Sequence, residues 1–176
     1  MAVIDSQPAA TPDPAAALNS RPRVARIAHV SFPCRDLEEG KRFYVEVLGG
    51  TVRVDLPTFA SITVSNVDIG IGIVGCAWPE RAAEYPHLAF FIEGPDLAAM
   101  RALLGRCGIP VSPLWTRTGR EALMFLRDPS GNLIELYCTE GYPGSAELPR
   151  SGPAGHGITV ELDALWYTRW TPPGSR

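Results

Sequence analysis

Two histidines and one glutamate occupy positions in the sequence where polar side chains are unexpected. His29 lies in IAHVSF, His87 in YPHLAF and Glu135 in GNLIELY, and each stretch is otherwise mostly apolar and typical of a β-strand. An imidazole or a carboxylate buried in such a strand needs a partner for its polar atoms, and a metal ion is one such partner. The three residues are therefore candidate ligands of one divalent metal.

Each of the three also has a simpler interpretation. The histidines could be core residues with hydrogen-bonded rings, and Glu135 could face water, and strand alternation alone does not decide between these alternatives. The metal interpretation is favoured because two of the three histidines in the chain occupy matching positions in the first strand of each half. If all three side chains face one cavity, they form a polar centre with mostly apolar walls, as in many small-molecule sites.

The elements around these residues repeat along the chain. A strand over residues 23–32 is followed by a helix that Asp36 can cap and by three strands, TVRVDL, FASITVS and VDIGIGIVG. The second half repeats the order with HLAFFIEG, the helix DLAAMRALLGRCG, and the strands PVSPLWTR, EALMFLR and NLIELYC, the last two joined by the turn DPSGN. The repeat predicts an α+β fold, with two βαβββ units forming one curved eight-stranded mixed sheet, a half-barrel cup.

The ends of the chain differ from this repeating region. Residues 1–22 are rich in Ala and Pro and are predicted to be a disordered tail. We expect the domain to cover residues 23–140, with units at about 23–79 and 85–140. Residues 141–176 form a C-terminal extension in which ITVELDALWYTRW, at 158–170, is predicted to dock on the domain or on a second subunit through its aromatic rings.

Composition narrows the classes of partner. The net charge is −3 with no block of like charges, which argues against a nucleic-acid or polybasic membrane partner. The apolar runs are too short to span a bilayer, and the N-terminus carries no secretion signal. The cysteines are far apart in the sequence and are predicted to be reduced thiols of a cytoplasmic protein; they are Cys34, Cys76, Cys107 and Cys138. A small-molecule substrate is the expected partner.

The stretches around the three candidate ligands resemble the vicinal oxygen chelate superfamily, which includes glyoxalase I, bleomycin-resistance proteins, fosfomycin-resistance enzymes, methylmalonyl-CoA epimerase and extradiol dioxygenases. The resemblance covers residues 24 to about 140 and rests on IAHVSF before a helix ending FYVEVLGG, on YPHLAFF, and on RDPSGNLIELY. It implies that metal ligands come from the first and fourth strands of each unit, and His29, His87 and Glu135 match three of those four slots. The fourth should fall near Ile71 or Gly72, and neither residue can bind a metal.

Three functions follow from this ligand set. The first is an Fe(II) dioxygenase acting on a small oxygenated or aromatic substrate, because two histidines and one carboxylate leave coordination positions open. The second uses the metal as a Lewis acid in a lyase, an isomerase or epimerase, or a thiol transferase, with Mn(II), Ni(II), Co(II) or Zn(II) as alternative ions. The third is a binding protein without catalysis, as in bleomycin sequestration, which would not need the three ligands.

Further residues are candidates for the chemistry and for substrate contacts. Tyr137 and Glu135 are the candidates for proton transfer, with Tyr85 and Glu121 as alternatives. The only other histidine, His156, lies in the C-terminal extension. Substrate contacts are predicted for Ser31, Phe91, Trp115 and Arg120, with Arg117 as a second arginine that could bind an anionic group. An apolar wall is predicted from Ile27, Phe91, Trp115 and Leu133.

We also predict a homodimer, because a curved sheet of two short units leaves apolar edges that related proteins cover with a second chain. Trp166, Tyr167 and Trp170 are the candidates for additional interface surface. The sequence leaves open whether one cup is built from both halves of one chain or from halves of two chains.

Overall fold

The computed structural model describes residues 27–75, 86–150 and 161–174. The first half contains β1 (His29–Pro33), α1 (Leu37–Arg42), β2 (Thr51–Leu56), β3 (Phe59–Val64) and β4 (Val67–Gly72), and a π-helical turn (Phe43–Val47) continues α1. The second half contains β5 (Leu88–Phe91), α2 (Gly94–Arg106), β6 (Ala122–Arg127) and β7 (Leu133–Cys138). Short 3-10 turns follow at Ser145–Glu147 and Leu162–Leu165. The predicted tail over residues 1–22 and the candidates Tyr85 and His156 lie outside the described residues, in which no helix is long and apolar enough to cross a membrane.

The first unit forms a four-stranded sheet in the order β1-β4-β3-β2, with β1 parallel to β4. Alternate residues of β3 face the core, where Ala60 and Ile62 are fully buried. The carboxylate of Asp36 accepts a hydrogen bond of 2.9 Å from the backbone N–H of Glu39 and so caps α1 as predicted. The helix covers one face of this sheet and leaves the other face available for a site.

The second unit forms a three-stranded sheet in the order β5-β7-β6, with β5 parallel to β7. Every residue of β6 is buried, so this strand is covered on both faces. On one face Met124 and Leu126 join the large core shared by both units, whereas Leu123 and Phe125 join a separate cluster on the opposite face. That second face also carries Glu135.

The predicted α+β class is confirmed, but the single eight-stranded sheet is not what the described residues form. They form seven strands in two sheets, because the segment PVSPLWTR makes only isolated bridges. Val111 pairs with Leu126 and Trp115 pairs with Leu123. The two prolines of this segment have no N–H to donate to a neighbouring strand, which explains why a continuous ladder does not form.

The turn DPSGN fastens the second unit to the first. Asp128 Oδ1 accepts hydrogen bonds from the backbone N–H groups of Ser130 (2.9 Å) and Asn132 (2.8 Å), which fixes the turn. Asp128 Oδ2 accepts a 3.0 Å hydrogen bond from the Tyr44 hydroxyl, and the Asn132 amide donates to the carbonyl of Pro33 at 2.9 Å. Burial raises the pKa of Asp128 to about 6, although these hydrogen bonds act to lower it.

The described part of the C-terminal extension, residues 161–174, packs along both units. The Tyr167 hydroxyl donates a 3.0 Å hydrogen bond to the carbonyl of Arg127 in the second unit. The Trp170 indole N–H donates a 3.0 Å hydrogen bond to Glu39 in the first unit. The two aromatic side chains are therefore partly buried against their own chain.

Candidate metal centre

His87 and Glu135 meet on the inner face of the second sheet. Glu135 lies in the middle of β7, opposite Ala89 of β5, and its side chain is only 4% exposed. His87 directly precedes β5, and its Nε2 lies 3.4 Å from Glu135 Oε2. The ring of Phe125 contacts the imidazole edge to face, with 5.4 Å between the ring centroids. Strand pairing and this aromatic contact together hold the imidazole beside the carboxylate.

The geometry of this pair suits two ligands of one divalent cation. Metal–ligand bonds of about 2.1 Å at right angles place neighbouring ligand atoms about 3 Å apart, close to the distance between His87 Nε2 and Glu135 Oε2. An imidazole nitrogen with a carboxylate oxygen is also a donor set that iron, manganese and related ions accept. A cation here would offset the cost of burying the Glu135 carboxylate. The residues present therefore fit part of a metal site.

Arg117 lies at the edge of this pair. Its Nη2 is 3.8 Å from Glu135 Oε1, and its side chain is 42% exposed. The guanidinium stacks over the ring of Trp115 at 5.1 Å and over the ring of Tyr137 at 5.5 Å. These contacts hold a positive charge beside the candidate metal ligands while leaving part of it accessible to a substrate.

Glu121 shapes the turn that presents Arg117. Its Oε1 accepts hydrogen bonds of 2.9 Å from the backbone N–H groups of Arg117 and Thr118, and its Oε2 accepts one from the Thr118 hydroxyl. Burial acts to raise the pKa of Glu121, but the hydrogen bonds outweigh it and lower the pKa to about 2. An ionised carboxylate committed to its own turn does not suit the role of general base that the sequence left open for Glu121.

The other predicted site residues on the second unit differ in position. Tyr137 and Trp115 lie on the face that carries Glu135, beneath Arg117. Phe91 ends β5 and is 60% exposed. Arg120 is also exposed, and its backbone N–H donates to Glu121 at 3.3 Å. Of the two arginines considered from the sequence, Arg117 is the one that the structure places beside Glu135.

His29 lies apart from the other two candidate ligands within one chain. It begins β1 in the first sheet and is exposed, as is Ser31 two residues further along. In the described residues no group of three His, Cys, Asp or Glu side chains is close enough together to hold a metal. The chain therefore brings His87 and Glu135 together and leaves His29 and Ser31 on a separate, open surface.

Strand register identifies the position in the first unit that is equivalent to Glu135. In each sheet the residue that follows the histidine pairs with a residue of the fourth strand of that unit. In the second sheet this partner is Ile134, directly before Glu135, and in the first sheet it is Ile69, directly before Gly70. Gly70 is therefore the equivalent of Glu135.

This register corrects the sequence-based position of the fourth ligand slot, which we had expected near Ile71 or Gly72. Ile71 instead points into the core and is fully buried. At Gly70 a Cβ atom would lie 2.7 Å from Ser31 Oγ and 3.0 Å from the Phe59 ring, so the space for a side chain is already occupied. The first unit accordingly offers no ligand on its fourth strand.

Phe125 was missed by the sequence analysis. A signal for it exists, because β6 and β7 form an antiparallel pair around the DPSGN turn. Residues equally distant from Ser130 face each other in such a pair, which places Phe125 opposite Glu135. Counting outwards from the turn would therefore have identified the ring that packs on His87.

Comparison with protein families places this architecture. The model of the Glyoxalase/Bleomycin resistance protein/Dioxygenase superfamily matches residues 26–136, which is more than half of the chain. The chain belongs to this superfamily. The match spans all seven strands except the end of β7, and it includes His29, His87 and Glu135. No curated protein matches the sequence.

Solved structures of similar fold include other glyoxalase-type domains. The fosfomycin resistance protein FosX from Listeria monocytogenes has a TM-score of 0.60 at 18% identity, over 66% of this chain and 93% of that chain. FosX from Mesorhizobium loti has a TM-score of 0.56 at 20% identity, over 66% of this chain and 93% of that chain. A glyoxalase/bleomycin resistance protein/dioxygenase from Alicyclobacillus acidocaldarius has a TM-score of 0.55 at 23% identity, over 65% of this chain and 92% of that chain. At these identities the likeness shows the superfamily fold.

Proposed function

We propose that this chain is a metal-dependent enzyme for a small oxygenated anion, with His87 and Glu135 of one copy and His29 of a second copy as the metal ligands. The observation that carries the proposal is the 3.4 Å approach of His87 Nε2 to Glu135 Oε2 on a nearly closed sheet face. Two donors of these types at this distance need one further ligand to complete the common arrangement of two histidines and one carboxylate.

The edges of the two sheets support a second copy as the source of His29. Within the described ranges, β1 ends the first sheet and β5 ends the second. Ile27, just before β1, is 69% exposed, and Phe91 on β5 is 60% exposed. If β1 of one copy lies beside β5 of another, both apolar side chains are covered and His29 approaches His87.

The residues around the ligand pair suggest the class of substrate. When bound, a divalent cation supplies a Lewis acid for two adjacent oxygens of a substrate. Arg117 would bind an anionic group of the same substrate, because its guanidinium is oriented by two aromatic rings and is still accessible. Tyr137 shares the face of Glu135 and remains our candidate for proton transfer. FosX from Listeria monocytogenes has been solved with Mn(II) and 1S,2S-dihydroxypropylphosphonic acid, a small oxygenated anion.

The reaction class we propose is Lewis-acid chemistry, as in lyases, isomerases or epimerases, and thiol transferases. The accessible charge of Arg117 favours it, since an anionic substrate would be oriented without help from the metal. An Fe(II) dioxygenase is the second candidate. It is favoured by the lack of space for a ligand at Gly70, which leaves coordination positions for both substrate and dioxygen.

Metal content tests the ligand assignment. We expect anaerobically purified protein to bind one divalent cation per chain. His29→Ala, His87→Ala and Glu135→Gln should each abolish tight binding while circular dichroism stays unchanged. Glu140→Gln, at an exposed position just after β7, is the matched control and should bind as the wild type does. Unchanged metal content in all three ligand variants would falsify the proposal.

Activity with exchanged metals separates the two reaction classes. Protein loaded with Mn(II) or Fe(II) is screened with catechols, hydroquinones, 2-oxo acids and hydroxy- or epoxyphosphonates, with and without a thiol, while oxygen uptake is recorded. Turnover that continues without dioxygen and with Mn(II) supports Lewis-acid chemistry. Turnover that requires iron and consumes dioxygen identifies a dioxygenase and overturns our first choice.

A further inference from the structure

We infer that the C-terminal segment, residues 161–174, forms one wall of the substrate cup and limits the size of the group that a substrate can place beside His87. The inference rests on the proposed function, since it assigns the specificity of that same site. The segment lies beyond the residues that the superfamily model matches, so it is a feature of this chain added to the common fold.

A separate apolar cluster on the inner face of the second sheet carries this inference. It comprises Trp115, Leu123, Phe125, Leu133 and Leu165, with Tyr137 and Leu162 packed against it. Leu133 and Tyr137 are each two residues from Glu135 on β7, so they share its face. Leu165 is only 2% exposed, and it is therefore buried against the face that carries the ligands and away from the core on the helix side.

The cluster reaches the ligand pair directly. Phe125 belongs to the cluster and also contacts the His87 ring, with 5.4 Å between the centroids. Leu165 is thus separated from His87 by no more than the side chains of one cluster. A change at Leu165 alters the apolar surroundings of the imidazole without removing a ligand.

Contacts on either side of the 3-10 turn hold the wall in place. The Arg127 guanidinium lies 4.3 Å from the centroid of the Trp166 ring. Trp166 also packs on Gly131, which has a φ of 92° and where a Cβ atom would collide with the indole. Further along, the backbone N–H of Thr171 donates to the carbonyl of Cys107 at 2.8 Å. Because these contacts reach strand, turn and helix, the wall is fixed in position.

The wall and Arg117 lie at opposite ends of the same strand face. Leu133, at one end of β7, packs with Leu165, whereas Tyr137, at the other end, lies under Arg117. Each is about 7 Å from Glu135 along the strand, given the rise of a β-strand. The arrangement favours a compact substrate whose oxygens approach Glu135, whose anionic group faces Arg117 and whose short apolar end faces Leu165.

The test compares Leu165→Ala with Trp170→Phe in Mn(II)-loaded protein. The probes are acetohydroxamate and benzohydroxamate, which chelate a divalent metal through two adjacent oxygens and differ in the size of the apolar end. We expect Leu165→Ala to raise the affinity for benzohydroxamate relative to acetohydroxamate about tenfold, as expected for enlarging an apolar pocket by several carbon atoms. Trp170→Phe changes the same segment where it contacts the first unit, and it should leave the ratio unchanged.

A second readout does not need the metal. In metal-free protein the His87 ring resonance, assigned with His87→Ala, should shift in Leu165→Ala and stay unchanged in Trp170→Phe. If Leu165→Ala does not fold, Leu162→Ala, at a partly buried position of the same wall, should give smaller changes in the same direction. An unchanged affinity ratio in metal-loaded protein overturns the inference. Failure of the wild type to bind Mn(II) overturns the proposed function instead, and the His87 resonance then decides the position of the wall.

Discussion

Two buried glutamates on the second sheet have different neighbours and therefore different roles. Glu121 accepts hydrogen bonds from its own turn, which lower its pKa to about 2 against the effect of burial and leave its oxygens occupied. Glu135 instead has His87 at 3.4 Å and Arg117 at 3.8 Å, groups from other elements at longer distances. A cation or a substrate can enter between such groups more easily than it can break a closed turn. Glu135 is accordingly the glutamate suited to a site.

Arg117 should contribute binding energy for anions, whereas Arg120 should not. Arg117→Ala is expected to weaken the binding of methylphosphonate to Mn(II)-loaded protein about 10- to 100-fold, the range for losing hydrogen bonds to a charged group. Arg117→Lys should recover only part of this affinity, because an ammonium group cannot stack on Trp115 and Tyr137 as a guanidinium does. Arg120→Ala is the matched control, and calorimetry measures all four proteins. Equal losses in Arg117→Ala and Arg120→Ala would contradict the assignment.

At the level of the turn over residues 116–121, Glu121 should stabilise the fold only when it is ionised. Its pKa is lowered from 4.5 to about 2, so its contribution is complete above about pH 4.5 and is lost as the pH falls towards 2. We expect Glu121→Gln to lower the free energy of unfolding by about 2 kcal/mol at pH 7, measured by urea denaturation. The difference from the wild type should shrink below pH 4.5. A difference that stays constant down to pH 2 would show that the charge of Glu121 has no part in holding the turn.

The DPSGN turn should show the opposite pH dependence. Burial raises the pKa of Asp128 from 3.8 to about 6, so the folded protein keeps this proton over a range where the unfolded chain has lost it. The free energy of unfolding therefore falls as the pH rises from about 4 to 6, by about 3 kcal/mol for a shift of this size. Asp128→Asn should lack this slope, and denaturation curves at several pH values measure it. Parallel curves for the two proteins would exclude Asp128 as its source.

Sequence pattern predicted those elements whose structure depends on local alternation. The strands around His29, His87 and Glu135 were identified because an isolated polar residue in an apolar run is visible in the sequence. The fourth ligand slot was misplaced by one or two residues, because the glycines of VDIGIGIVG carry no side-chain pattern that fixes the register. The cover provided by Leu165 could not be predicted, since it depends on a contact between elements that are distant in the sequence.

In the whole molecule, the two units are fixed against each other in a way that keeps His29 from His87. They share one apolar core that includes Phe43 from the first unit and Leu136 from the second. The hydrogen bond from the Asn132 amide to the Pro33 carbonyl crosses the junction. Movement of one unit around the other would break this core, so a rearrangement within one chain is an expensive route to a three-ligand site. Association of two copies leaves the core intact.

Mixing two inactive variants tests this arrangement. In a dimer that shares its ligands, the hybrid of His29→Ala and Glu135→Gln chains has one intact site, because its remaining His29 and its remaining Glu135 face each other across the interface. Random exchange of subunits makes about half of the dimers hybrids, so the mixture should bind about a quarter of the wild-type amount of Mn(II), although each variant alone binds none. Sedimentation should show a dimer throughout, and a mixture of His87→Ala with Glu135→Gln is the control, since both changes fall in the same half of each site and one chain of that hybrid still retains no complete pair. Recovery in the control as well, or no recovery in the test mixture after exchange has been verified, would refute a metal site shared between two copies.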